Sequence, residues 1–268
     1  MVWVLVLLII VLALLYATRR KKRIGYKCFL LTIPSSATRR QTFLAHHDPG
    51  VPLEIIYGQD TKQVENAKKY QSIIEPGYFK EALELHYRKT KVRTDITHFD
   101  MGAIGCYMGH MEFYRRCFEQ GLRYAVIFED NVVVTNNTLY DEIQEVIDTM
   151  GDSFEMCFFH CLSRYPDASR PKGDLERVKW ISSTKCYLVN VRNMQQYYQY
   201  FFPIDNHVDM KHEDIIARGA RVYYRDMHDY MYIDRAHAST IGHSQHRRPT
   251  YFSKQYPSVT TDVLEYGY

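Results

Sequence analysis

The pattern that most restricts the fold is a strand, a helix and a second strand near the start of the chain. Residues Tyr26–Ile33 read YKCFLLTI, which has the length and apolar composition of a buried strand. The stretch Thr38–Leu44 has a helical pattern, and Pro52–Gly58 is a second strand that ends at a glycine. This spacing is typical of a parallel α/β sheet. The sequence therefore predicts an α/β fold with a mostly parallel central sheet flanked by helices.

The rest of the chain continues this alternation. Asp100 is a suitable N-cap for a long helix that begins at Met101, and Gly121 is a suitable stop for it. A polar stretch, Ser163–Lys179, is predicted to be a loop. The further predicted helices are Phe79–Tyr87, Leu139–Met150, Asn193–Phe202 and Lys211–Arg218, and the further strands are Tyr124–Phe128, Phe154–His160, Thr184–Val191 and Arg221–Asp226.

An uncharged apolar stretch, Val2–Ala17, precedes a block of five basic residues at 19–23. Basic residues after the apolar stretch, without a small-residue cleavage site, favour an uncleaved transmembrane helix over a signal peptide. The sequence thus predicts a single-pass membrane protein: an anchor at 1–18, a basic juxtamembrane segment at 19–25, a main domain at 26–246 and a Tyr-rich tail at 247–268. The positive-inside rule favours a cytosolic domain, although the opposite insertion stays open.

The net charge of +3 is more than accounted for by that basic block. The rest of the chain is close to neutral, which argues against a nucleic-acid-binding surface. Six cysteines lie mostly in apolar stretches and form no evident disulfide framework. The segment CFFHC at 157–161 contains metal-ligating residue types, but its spacing favours core packing over a zinc site.

Three polar residues interrupt the most apolar stretch of the chain, YAVIFEDNVVV. They are Glu129, Asp130 and Asn131, and burying them without partners would cost free energy. Ligands of open α/β sheets bind beyond the carboxyl ends of the strands, where such side chains can hold Mg²⁺ or Mn²⁺. An acidic turn without a ligand is the alternative interpretation.

Residues Met101–Val134 resemble the signature of glycosyltransferase family 25, the lipooligosaccharide and procollagen galactosyltransferase type. That family typically shows Gly-Glu-Ile-Gly-Cys, then Leu-Ser-His, then an apolar strand that ends in Glu-Asp-Asp. The matching residues here are Gly102, Ile104, Gly105, Cys106, His110, Glu129 and Asp130. Four further segments are similar to family motifs: FLLTIPSSATRRQTF, STKCYLVN, FPIDNHVD and ASTIGHSQHR. The similarity covers about Tyr26 to His246.

This resemblance implies a GT-A-like fold and an inverting transfer of galactose or glucose from a UDP-sugar. The acceptor would be a hydroxyl group on a glycan, a lipid or a protein. Three residues depart from the family pattern. Ala103 replaces the family's Glu, Gly109 replaces its Ser, and Asn131 replaces the last Asp of the acidic triplet. Asn131 matters most, because an amide oxygen carries no charge and metal affinity depends on ligand charge.

The resemblance and the chemistry of the transfer together suggest roles for particular side chains. Glu129, Asp130 and Asn131 are expected at the nucleotide or at Mn²⁺ or Mg²⁺, with Asp130 as the first choice. Asp205 and Asp209 are candidates for the catalytic base and for completing the metal site, and they would share a face if their segment were helical. Helix capping is the alternative for Asp209. Further candidate contacts of the donor are His110, Arg39, Arg40 and, also as a metal ligand, His243.

Two other functions stay open at this stage. Asn131 raises the alternative of a protein of the same fold that binds sugar nucleotides with weak or no turnover. The scattered histidines suggest a second alternative, a membrane-tethered metallohydrolase. The absence of a His-Glu-x-x-His pattern disfavours it.

Overall fold

The computed structural model describes residues 24–87, 99–167 and 174–234. Within these ranges the strands are β1 Lys27–Thr32, β2 Leu53–Tyr57, β3 Tyr124–Glu129, β4 Val132–Val134, β5 Met156–Phe158, β6 Ser163–Pro166, β7 Glu176–Ser182, β8 Cys186–Asn190, β9 Val222–Tyr224 and β10 Met231–Ile233. The α-helices are α1 Ala37–His46, α2 Val64–Lys68, α3 Pro76–Tyr87, α4 Met101–Glu119, α5 Leu139–Met150, α6 Val191–Met194 and α7 Val208–Ala217. Short 3₁₀ segments lie at Gln71–Ile73 and Gln195–Phe201.

In the described ranges, eight strands form one sheet in the order β2-β1-β3-β8-β5-β9-β7-β6. Strand β1 is parallel to β2 and β3, and β5 is parallel to β9. The pairs β3–β8, β5–β8, β7–β9 and β6–β7 are antiparallel. The sheet is therefore mixed, and the prediction of a mostly parallel sheet is wrong. An apolar stretch indicates a buried strand but carries no information about the direction in which the strand runs.

The two faces of the sheet form two hydrophobic cores because side chains alternate along each strand. Phe29 and Ile127 point to one face, where they pack in a core with residues of α4. Leu30 and Val126 point to the other face, where Phe43 of α1 and residues of α5 cover them. Each strand of this part of the sheet is thus buried on both sides, which explains its nearly continuous apolar sequence.

The helix that begins at Met101 is confirmed together with its ends. The Asp100 side chain accepts a hydrogen bond from the backbone N–H of Ala103, at 2.8 Å, and so caps the first turn. Gly121 follows the helix with a φ of 59°, a left-handed conformation that glycine adopts without steric cost.

Several element predictions need correction. The stretch predicted as a loop, Ser163–Lys179, contains β6 and the start of β7. Two short strands, β4 and β10, were not predicted, and they pair with each other in a separate two-stranded sheet. Helix α7 begins at Val208, three residues before its predicted start.

Within the described residues, no helix combines the length and hydropathy that a membrane span requires. The predicted anchor, the basic segment up to residue 23 and the predicted Tyr-rich tail lie outside those residues, as does His243.

Candidate functional site

The candidate site is a cleft at the edge of the sheet where β1, β2 and β3 end. These three neighbouring strands are parallel, so their carboxyl ends meet at one edge. Leu31 is level with Glu129, and Thr32 with Tyr57. The cleft has a volume of about 540 Å³ including its opening to solvent, and it is lined by residues 31–33, 58–61, Gly102, Gly105, Cys106, Glu129 and Asp130. The predicted position of the site, beyond the ends of parallel strands, therefore coincides with a cavity.

Helix α4 closes one side of the cleft, and two glycines allow its close approach. A Cβ atom at Gly105 would lie 2.5 Å from Thr61 Oγ1 and 2.8 Å from the backbone oxygen of Gln59. A Cβ atom at Gly109 would lie 2.6 Å from Leu31 Cδ1. Leu31 thus occupies the space that a serine side chain would need, which gives a physical reason for glycine at position 109.

Glu129 ends β3 and points to the α4 face of the sheet. Its Oε2 accepts a hydrogen bond from Lys185 Nζ at 2.6 Å, and its Oε1 accepts one from Thr184 Oγ1 at 2.7 Å. His110 Nε2 lies 3.7 Å from Oε1, beyond direct hydrogen-bond distance. Burial acts to raise the pKa of Glu129, but Lys185 and His110 outweigh it and hold this pKa well below its usual range. Glu129 is therefore a charged, firmly held carboxylate at neutral pH.

The backbone between β7 and β8 brings Lys185 and Thr184 to Glu129. These two strands run in the same direction and are separated by only three residues. Ser183 in this connection has a φ of 125°, which is unusual for a residue other than glycine. Such strain is found most often at ligand sites, where the surrounding structure holds it in place.

Asp130 follows Glu129 in the chain but lies on the α1 side. Its Oδ2 accepts a hydrogen bond from Thr32 Oγ1 at 2.7 Å, and its Oδ1 lies 3.6 Å from Arg39 Nη1. Burial raises the pKa of Asp130, and the charge of Glu129 adds to this effect. The Thr32 hydrogen bond and the Arg39 cation offset it only in part. The charged form of Asp130 is therefore less well stabilised than that of Glu129.

Asn131 has a side chain that a cation could bind. Its side-chain oxygen Oδ1 is buried and has no hydrogen-bond partner among the residues that the structure describes. A buried carbonyl oxygen without a partner is costly, and a hard divalent cation is a suitable partner for it. The chemistry of the Asn131 oxygen is therefore compatible with Mn²⁺ or Mg²⁺.

The remaining predicted contacts on this side are Arg39, Arg40 and His110, and all three adjoin residues that line the cleft. Arg39 is buried against Asp130. Arg40 Nη1 donates a hydrogen bond to the backbone oxygen of Ile33 at 3.3 Å. His110 is fully buried beside Glu129, and its Nδ1 is 2.9 Å from Tyr187 Oη.

Asp205 and Asp209 are not equivalent. Asp205 precedes α7 and pairs with the buried Lys211 at 2.5 Å, so the two aspartates do not share a helical face. Asp209 lies in the first turn of α7, where its charge is favourable to the helix dipole, although the helix has no side-chain cap. Its charge also contributes to raising the pKa of the Cys106 thiol, after burial and Glu129.

Sequence reasoning assigned no role to Thr32, Thr184, Lys185 and Cys106. Thr32 and Cys106 line the cleft, and Thr184 and Lys185 donate hydrogen bonds to Glu129. A lysine directly before the apolar strand CYLVN was a usable signal for Lys185, because a cation beside a buried strand needs an acidic partner. In the segment CFFHC, Cys157 is buried in the core, and His160 Nδ1 is 3.2 Å from Ser183 Oγ.

Comparison with known proteins adds evidence of two kinds. The family model described as Glycosyltransferase family 25 (LPS biosynthesis protein) matches residues 26–211. No curated protein sequence matches the chain.

Solved structures with a similar backbone include three sugar-transferring proteins. Mouse xyloside xylosyltransferase 1 has a TM-score of 0.40 at 8% identity, over 75% of this chain and 84% of its own. A Drosophila β-1,4-galactosyltransferase 7 in complex with manganese, UDP-Gal and xylobiose has a TM-score of 0.37 at 8% identity, over 87% and 79%. A glycosyltransferase involved in the glycosylation of the major capsid of PBCV-1 has a TM-score of 0.34 at 11% identity, over 75% of this chain and 81% of its own.

Proposed function

The chain belongs to glycosyltransferase family 25 and is a glycosyltransferase, and from this premise we propose that it moves galactose or glucose from a UDP-sugar to a hydroxyl group. The acceptor hydroxyl belongs to a glycan, a lipid or a protein. The proposed fold type is GT-A-like, with the donor in the cleft at the ends of β1, β2 and β3.

One observation carries this proposal. The cleft at the carboxyl ends of three parallel strands is lined by an acidic pair, Glu129 and Asp130. The next residue, Asn131, has a buried side-chain oxygen without a hydrogen-bond partner among the described residues. Arg39 and Arg40 stand beside the same edge and offer guanidinium groups to a diphosphate. A sugar diphosphate with a divalent cation matches this combination of charges.

Each side chain then has a defined task in the transfer. Asp130 and Asn131 hold the cation, and Arg39 and Arg40 bind and orient the diphosphate. A bound Mn²⁺ or Mg²⁺ would offset the negative charge of the diphosphate when it leaves. We propose Asp209 as the base that accepts the proton of the acceptor hydroxyl, in preference to Asp205, whose carboxylate is already paired with Lys211.

The membrane part of the proposal concerns residues outside the described ranges. We propose that residues 2–17 anchor the protein as a single span and that the basic block at 19–23 keeps the catalytic domain on the cytosolic side. Protease protection of the domain in sealed vesicles tests the orientation, since a luminal domain would be protected in the absence of detergent.

A screen of nucleotide sugars with the full-length protein tests the function. We expect release of UDP from UDP-galactose or UDP-glucose, and we expect Mn²⁺ to increase it. Two results would contradict the proposed substrate class. Either the wild-type protein turns over only a donor without uridine, or it turns over no donor at all.

The Asn131→Asp substitution tests the metal position. A carboxylate in place of the amide adds a charged oxygen ligand, so we expect tighter Mn²⁺ binding by about 10-fold, measured by calorimetry. Asn136→Asp, on an exposed turn of the same chain, is the matched control and should leave Mn²⁺ binding unchanged. Equal metal affinity in wild type and Asn131→Asp would exclude position 131 from the metal site.

A second function, binding of a sugar nucleotide with weak or no turnover, is favoured by the charge balance of the site. Glu129 is paired with Lys185 and Asp130 with Arg39, and Asn131 carries no charge. One measurement separates the two functions. If the protein only binds the sugar nucleotide, UDP and Mn²⁺ bind, but no UDP is released from any donor in the presence of acceptors.

A further inference from the structure

A second group of metal-ligating side chains lies on the α4 side of the cleft. Cys106 and His110 are one helical turn apart on α4 and so face the same way. Together with Glu129 they bring a thiol sulfur, an imidazole nitrogen and a carboxylate oxygen within 4.8 Å of one another. Among the described residues, this is the His, Cys, Asp and Glu group whose ligand atoms come together in this way.

His110 gives an independent indication of a ligand site. Its side chain is 0% exposed, and its Nε2 is buried without a hydrogen-bond partner among the described residues. The ring is fixed from the other side, because Nδ1 lies 2.9 Å from Tyr187 Oη and the two rings stack with centroids 5.7 Å apart. A ring held at one nitrogen and open at the other is the usual arrangement of a metal-binding histidine.

The side chain of Glu129, like that of His110, is held on one side and can accept a cation on the other. Lys185 holds Oε2, while Oε1 accepts a hydrogen bond from Thr184 and retains a second lone pair on the side of His110. The distance of 3.7 Å between His110 Nε2 and Glu129 Oε1 is near the spacing that two ligands of one tetrahedral ion require. Only a small adjustment would be needed to place a cation between them.

We propose that Cys106, His110 and Glu129 bind a thiophilic divalent cation such as Zn²⁺, with three protein ligands and a fourth position open to the cleft. Sulfur and imidazole ligands select such cations over Mn²⁺ and Mg²⁺, which prefer oxygen. This ligand set differs from the oxygen ligands proposed for Mn²⁺ or Mg²⁺, which are Asp130 and Asn131. On binding, the S–H bond of Cys106 breaks, the sulfur bonds to the cation, and the proton leaves to solvent.

This proposal does not depend on the sugar donor, because its test measures metal binding. Purified full-length protein is titrated with Co²⁺, which gives a sulfur-to-cobalt charge-transfer band when a thiolate coordinates it. We expect one equivalent of Co²⁺ with this band in wild type, and Zn²⁺ should displace it. Histidines at 237, 243 and 246 can bind Co²⁺ as well, but they give no sulfur band.

Variants assign the ligands. Cys106→Ser should abolish the band, whereas Cys161→Ser, which alters another partly buried cysteine of the chain, should retain it. His110→Gln and Glu129→Gln should each weaken Co²⁺ binding by at least about 10-fold. Circular dichroism of each variant establishes that it is folded, and the wild-type and His110→Gln titrations decide the question if Cys106→Ser does not fold.

Two results would overturn the proposal. One is the absence of a sulfur-to-cobalt band in wild type at stoichiometric Co²⁺. The other is a band that survives in folded Cys106→Ser or disappears in Cys161→Ser.

Discussion

Two neighbouring carboxylates, Glu129 and Asp130, occupy opposite sides of the sheet and opposite electrostatic environments. We name these the Lys185 side, which contains Glu129 with Lys185, Thr184 and His110, and the Arg39 side, which contains Asp130 with Arg39 and Thr32. On the Lys185 side the charged partner is in direct contact at 2.6 Å, and the pKa of the carboxylate is held far down. On the Arg39 side the cation is 3.6 Å away, and burial keeps the pKa raised.

One strand end thus combines a structural and a reactive carboxylate. Side chains alternate between the faces of a strand, so the order Glu-Asp sends one carboxylate towards α4 and the other towards α1. Glu129, bound to Lys185 and Thr184, fixes the connection between β7 and β8. The under-compensated Asp130 keeps negative charge that a cation or a hydrogen-bond donor of a ligand can stabilise.

The largest effect is expected from removing the cation of the Lys185 side. Lys185→Met leaves the carboxylate of Glu129 buried without its charged partner, so we expect the free energy of unfolding to fall by about 3 kcal/mol. Urea denaturation measures this change. Lys68→Met is the matched control: Lys68 forms an exposed pair with Glu65, and its loss should cost under about 1 kcal/mol. Equal losses in the two variants would show that the Lys185 side is not a buried ion pair.

The second effect separates activity from stability on the Arg39 side. Asp130→Ala should lower kcat/KM for the UDP-sugar by about 100-fold or more, because the site loses the carboxylate assigned to the cation. Its fold should remain intact, as judged by circular dichroism. Glu65→Ala changes an exposed carboxylate and should leave kcat/KM unchanged. Activity of Asp130→Ala at the wild-type level would reject the site assignment.

The sequence was sufficient for part of this comparison. The buried strand ending at Glu129, the helix that begins at Met101 and the meeting of polar side chains at a sheet edge all follow from local patterns, and the structure contains each of them. The family resemblance is confirmed over residues 26–211. Local patterns succeed here because hydrophobic periodicity and helix caps act within a few residues.

The partners of the two carboxylates could not be predicted in the same way. Lys185 is 56 residues from Glu129 and reaches it through the antiparallel pairing of β3 with β8. Arg39 was named as a diphosphate contact, but nothing in the sequence indicated that Asp130 would be its neighbour. Strand order and direction depend on the packing of the whole domain, so the mixed sheet and the ion pairs that it creates emerge only in the structure.

The smallest effect is a pair of pH profiles with opposite signs. The folded-state pKa of Glu129 lies below its unfolded value, so its charge stabilises the protein above about pH 4.3, and this contribution is lost as the pH falls further. The folded-state pKa of Asp130 lies above its unfolded value of about 3.9, so ionisation of Asp130 lowers stability as the pH rises. Glu129→Gln should therefore be less stable than wild type at neutral pH.

Asp130→Asn should be more stable than wild type at neutral pH, by under about 1 kcal/mol, since the amide can still accept the hydrogen bond of Thr32. The Asp130→Asn difference should shrink as the pH falls towards about 3.9, whereas the Glu129→Gln difference should persist down to about pH 4.3 and shrink only below it. Urea denaturation of the three proteins between neutral and acidic pH, with a chelator to exclude metals, measures the profiles. If the two variants differed from wild type with the same sign, the charges of Glu129 and Asp130 would not have the opposite effects on stability that their contacts indicate.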